Sequence, residues 1–156
     1  MSELSRSGEP PQTWVRGGRR MLDMEWLAYV TEAPLSLNAT VLSRPSQLSK
    51  GVEEFNAESF FESHETWEDA WQAVAYPQRL FFLALTKIAA GFAHAKRGNA
   101  SGARRLLNDG LRFLEPFMPM FMGLDTRLLS EETGQWVDAR PGSSNVAYPL
   151  IHSERG

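Results

Sequence analysis

The sequence predicts an all-α protein, a small helical bundle of three main helices plus short flanking helices. Three observations carry this. Apolar residues recur at spacings of three and four through the middle of the chain, the period of a helix face. Helix-ending chemistry falls where those patterns stop: Tyr76-Pro77, Gly98-Asn99, then Pro116 and Pro119. Alternating strand patterns of useful length are missing.

The first main helix is expected from Val52 or Asn56 to Val74, with Asn56 or Ser59 as its cap. It stops before Pro77, because a residue preceding proline disfavours the α region. The second runs from about Gln78 to Lys96. It is apolar nearly all round (Leu80, Phe81, Phe82, Leu83, Leu85, Ile88, Phe92), the pattern of a helix buried on most faces. Gly98-Asn99 supplies the usual left-handed end. Ser101 is the expected cap of the third, which carries Ala103, Leu106, Leu107, Leu111 and Leu114. Asp125 caps a short fourth helix through Leu128 and Leu129.

The flanks read differently. Residues 1–20 are rich in Ser, Gly, Pro and Arg and are expected to be disordered. Residues 21–50 read as a short helix through Leu22, Trp26, Leu27 and Val30, then an irregular linker broken by Pro34 and Pro45. The bundle domain spans 51–138, and 139–156 reads as a loose tail.

Composition narrows the function classes. The 156 residues carry a net charge of -3, which argues against nucleic acid and against an anionic membrane surface. There is no cysteine, so disulfides, thiolate metal sites and a catalytic thiol are excluded. No apolar run is long enough for a transmembrane helix, and the N-terminus has no signal pattern, so a cytoplasmic location is expected. Phosphate loops, nucleophile elbows and dinucleotide fingerprints are absent.

The most informative stretch runs from Phe55 to Trp71. It holds five carboxylates, one histidine and five large aromatics in seventeen residues. Phe60, His64, Trp67, Trp71 and Val74 fall on one stripe at spacings of four, three, four and three. Glu68 borders that stripe, four residues from His64, while Glu62, Glu65 and Asp69 form a solvated flank. A buried imidazole needs a partner, so His64 pairs with Glu68 or with polar groups on the second helix. If buried and hydrogen-bonded, its replacement by Ala is expected to cost about 1–3 kcal/mol. On the second helix Lys87, Gly91 and His94 share a face. If that face meets the first helix, His64, Glu65, Glu68, Lys87 and His94 converge. His64, His94 and Glu68 would then be ligands for one divalent metal (Zn, Fe or Mn), with Glu65 or Glu68 as catalytic base on bound water. The pattern is not the zinc-protease motif, which places a second histidine where Glu68 stands.

These residues resemble a bacterial and archaeal family called domain of unknown function 309. The resemblance rests on Phe55-Asn56, Phe60-Phe61-Glu62, His64-Glu65, Trp67-Glu68, Trp71, Leu83 to His94, Gly98-Asn99 and Gly102-Ala103, and covers about 52–130. It implies a cytosolic all-helical bundle of unestablished activity, sometimes labelled a predicted metal-dependent hydrolase. The motif positions carried over are His64, Glu65, Glu68 and His94, with Asn56 and Asn99. The chain departs from the family at Trp67, often aliphatic there, and at Lys87, which puts a cation near the supposed metal.

Three functions compete. One is a metal-assisted hydrolase built on His64, His94, Glu65 and Glu68. Another is a non-enzymatic interaction or oligomerisation module in which the His/Glu pair is structural. Its self-association surface would be Phe117, Met118, Met120, Phe121 and Met122, whose alternative role is to close the bundle's end. The third is a metal-free enzyme using Glu65 or His64 as acid/base and Lys87 as an anion anchor.

Overall fold

A computed structural model describes residues 18–32, 45–139 and 147–153. The expected disorder of 1–20 falls, but for 18–20, outside the described residues. Among the described residues the chain is mostly helical: α1 Gly18–Glu32, α2 Gln47–Asn56, α3 Phe60–Ala73, α4 Gln78–Lys96, α5 Ala100–Leu114 and α6 Thr126–Asp138. A 3-10 turn at Glu115–Phe117 leads into a small antiparallel hairpin, β1 Met120–Phe121 with β2 Leu124–Asp125. The main packing joins α2 to α3, α3 to α4 and α4 to α5.

The first main helix is in fact two. Glu58 adopts a left-handed φ of 62° between α2 and α3. Its N–H donates to Phe55 O, and the next N–H, of Ser59, donates to Glu54 O. This is the paired helix ending that glycine usually supplies. Ser59 does stand at the N-cap of α3, though its side chain makes no capping bond.

The split changes which face of α3 is buried. The inward residues are Phe60, Ser63, Thr66, Trp67 and Ala70, while His64 and Trp71 are only partly covered. Ser63 and Thr66 go inward because α2 lies against them. Ser63 Oγ donates to Gly51 O at 2.9 Å, so its burial costs little. Gly51 permits the approach. A Cβ there would come within 2.1 Å of the indole Nε1 of Trp67, which is fully buried and points to Leu48 O at 3.4 Å.

The second helix is as expected. Leu80, Phe81, Phe82, Ala84, Leu85, Ile88, Ala89 and Phe92 of α4 are all fully buried. Its end is the expected turn, with Gly98 at φ 84°, Gly98 N donating to Ala95 O and Asn99 N to His94 O. Asn99, not Ser101, caps α5: its Oδ1 accepts from Gly102 N at 3.0 Å. Asp125 caps α6 through Leu128 N at 2.9 Å, as expected, but that helix is 13 residues long.

The short N-terminal helix is found where expected, whereas part of the C-terminal tail is more ordered than expected. Leu22, Trp26, Leu27 and Val30 of α1 are buried, and Trp26 stacks on Tyr76 with ring centroids 5.0 Å apart. Residues 147–153 of the supposedly loose tail form a strap on the bundle. Ile151 is buried, and Tyr148 meets Phe60, Phe92 and Trp136 at 5.1, 5.6 and 6.1 Å. The apolar run around Pro119 turns inward: Phe117, Phe121 and Met122 are buried, so these three close the bundle's end and offer no surface for self-association. The hairpin turn explains Met122. Met122 and Gly123 both have positive φ, 51° and 81°, the geometry of a tight two-residue hairpin. Met122 accepts that strain while its thioether packs inside, 3.4 Å from the Gln78 amide that donates to it.

Candidate functional site

The five side chains that could have converged lie in three places. His64, Glu65 and Glu68 stay on α3. Lys87 faces α5, where its Nζ pairs with Asp109 Oδ2 at 3.0 Å and sits 5.6 Å from the Phe113 ring. The glycines explain this orientation. A Cβ on Gly91 would meet Leu107 at 2.7 Å, and one on Gly110 would meet Ile88 at 2.7 Å. The face of α4 carrying Lys87 and Gly91 is therefore the α5 interface, not the α3 interface.

His94 serves the turn between α4 and α5. The Asn99 amide Nδ2 donates to His94 Nδ1 at 3.1 Å while Asn99 Oδ1 caps α5. Such a bond puts the ring proton on Nε2. Asn56 also has a partner far away in sequence. Its Nδ2 donates to Ile151 O at 2.9 Å, and its Oδ1 accepts from Ile151 N at 2.8 Å.

On α3 the remaining group is open to water. His64 Nε2 lies 3.7 Å from Glu68 Oε1, beyond hydrogen-bond range, with side chains 26% and 45% exposed. Glu62, Glu65 and Asp69 are exposed, as the flank pattern predicts. Phe61 is 47% exposed and lies between the His64 ring, at 5.7 Å, and the Arg97 guanidinium, at 5.9 Å. The other side of α3 is structural. Lys50 Nζ meets Glu54 Oε2 at 2.7 Å and Thr66 Oγ1 at 3.3 Å. Burial pushes the Glu54 carboxyl up, but hydrogen bonds from Lys50 and Thr66 outweigh this and hold it below the usual carboxylate range.

Residues 48–106 match the family model described as Domain of unknown function (DUF309). This segment is a DUF309 domain. Comparison with curated proteins and with solved structures gives no match. The DUF309 domain contains nearly all of α2, all of α3 and α4, and the start of α5. It therefore holds His64, Glu65, Glu68 and His94. His64 and Glu68 supply two donors, whereas a catalytic zinc takes three protein ligands. Among the described residues no group of three or more His, Asp or Glu side chains is placed to hold a metal ion. The His64 and Glu68 pair alone thus falls short of the three protein ligands of a catalytic zinc.

Neither Phe61 nor Arg97 was a candidate site residue in the sequence. For Phe61 a signal existed: Phe60 already occupies the apolar stripe, and the next side chain on a helix points about 100° away from it. Arg97 gave none, since it follows the end of α4.

Proposed function

We propose that the chain is a non-enzymatic helical interaction module whose DUF309 domain presents the outer face of α3 to a partner. The observation that carries this is the exposed Phe61, held between His64 and Arg97 beside the exposed carboxylates Glu62, Glu65 and Asp69. An aromatic anchor rimmed by charge is the chemistry of an interface centre. Catalysis instead calls for a concave, water-poor setting. Three surface grooves of about 500–570 Å³ among the described residues lie elsewhere, lined by residues of the strap and α6, of the start of α5, and of α2 with the hairpin. The carboxylates select a basic partner, and Phe61 selects one with an apolar side chain between its cations.

The test uses a labelled synthetic amphipathic helix with lysines on one side and leucines on the other. Binding to the full chain should weaken with salt and fall about tenfold in Phe61→Ser. Equal binding by Phe61→Ser, or by a control helix with glutamates for lysines, sinks the reading. Stoichiometric metal in untagged protein, lost in His64→Ala, would instead favour the metal-dependent hydrolase.

A further inference from the structure

We infer that the groove holding residues 147–153 is an exchangeable peptide site, and that its second occupant is the same strap from another copy of this chain. This surface is separate from the outer face of α3.

The groove reads a non-helical segment in three ways. Asn56 bonds both the N–H and the C=O of one residue, Ile151, at 2.8 and 2.9 Å. A carboxamide paired this way recognises backbone and ignores the side chain, as strand-addition sites do. The chain after Ile151 continues along the hairpin. His152 O accepts from Asp125 N at 2.8 Å, and Ser153 forms a bridge with Leu124. Specificity comes from two apolar positions three apart. Tyr148 enters the Phe60, Phe92 and Trp136 cluster, and Ile151 is 3% exposed. Between them Pro149 is buried too, and only Leu150, 45% exposed, turns outward.

Asn56, Phe60 and Phe92 lie within the DUF309 segment 48–106, whereas the strap lies 95 positions from Asn56 and outside it. The site and its occupant are thus separate parts of the chain. They are joined through 140–146, seven residues that can span at most about 25 Å. A strap tethered so closely competes in cis at an effective concentration of about millimolar. Exchange between copies is therefore held down in the natural chain and rises with protein concentration. The segment that fits this groove is carried by every copy, which identifies the trans occupant and makes the contact a swap.

Complementation tests this on full-length chains. One variant, Asn56→Ala, keeps a good strap and loses the backbone reader. The other, Tyr148→Ala with Ile151→Ala, keeps the groove and loses the strap. Mixed, they can form one intact groove–strap pair between copies. Light scattering should show a one-to-one heterodimer, with each variant alone monomeric at the same concentration. Folded variants, verified by circular dichroism, that stay monomeric when mixed would overturn the inference. Equal self-association of either variant alone would do so too. Failure of the strap variant to fold also overturns it, because the strap would then be fixed core.

Discussion

The Asn99 carboxamide holds two helices at once: its nitrogen lies 3.1 Å from His94 Nδ1 at the end of α4, and its oxygen 3.0 Å from Gly102 N at the start of α5. Replacing Asn99 by Ala removes a cap and should cost about 1–2 kcal/mol in urea unfolding. Asn99→Asp keeps the acceptor and loses only the donor to His94, so it should lose clearly less. Equal losses would show that the cap contributes nothing.

Glu58 is strained. A non-glycine residue in the left-handed region costs about 1 kcal/mol, and the ion pair it makes with Lys96, at 3.4 Å, is exposed on both sides and weak. Glu58→Gly should therefore stabilise the protein by about 0.5–1 kcal/mol. A lower melting temperature would mean the Lys96 contact outweighs the strain.

His64 is not the buried, hydrogen-bonded ring that its aromatic setting suggests. Its distance from Glu68 and the exposure of both side chains make this an ordinary surface pair. His64→Ala should change stability by less than about 0.5 kcal/mol. A loss of about 2 kcal/mol would restore the buried reading.

Tyr76 sets a limit at alkaline pH. Burial, and then its hydrogen bond to Asp23 and that group's charge, push the phenol up to about 12 from 10.0. The native state thus favours the neutral ring. The resulting stability is complete below about pH 10 and is lost as pH rises towards about 12. Tyr76 is only partly buried, so water screens the effect to about 1 kcal/mol. Tyrosinate absorbance should contain a late component that Tyr76→Phe removes. Its persistence in that variant would assign the shift to another tyrosine.

These cases mark what the sequence could reveal. Helix α4, its Gly98 ending, the Asp125 cap and the exposed carboxylate row follow from local chemistry and periodicity, and all are found. The break at Glu58 was hidden because glycine normally marks such a turn. Ser63 and Thr66 carry no apolar signal, and what buries them is contact with α2, through Gly51 O and the Lys50 side chain. The condition for convergence of the candidate residues is not met at one point, the facing of α4. Lys87 looked like a neighbour of His64 until Gly91 and Gly110 fixed that face against α5. Periodicity groups residues on a face but does not say which helix that face meets.

The strap carries a lesson about boundaries. Phe60 and Phe92 belong to residues 48–106, yet Tyr148 and Trp136, which cover them, do not. The matched segment thus leaves two of its own core rings to be covered by side chains from beyond its bounds.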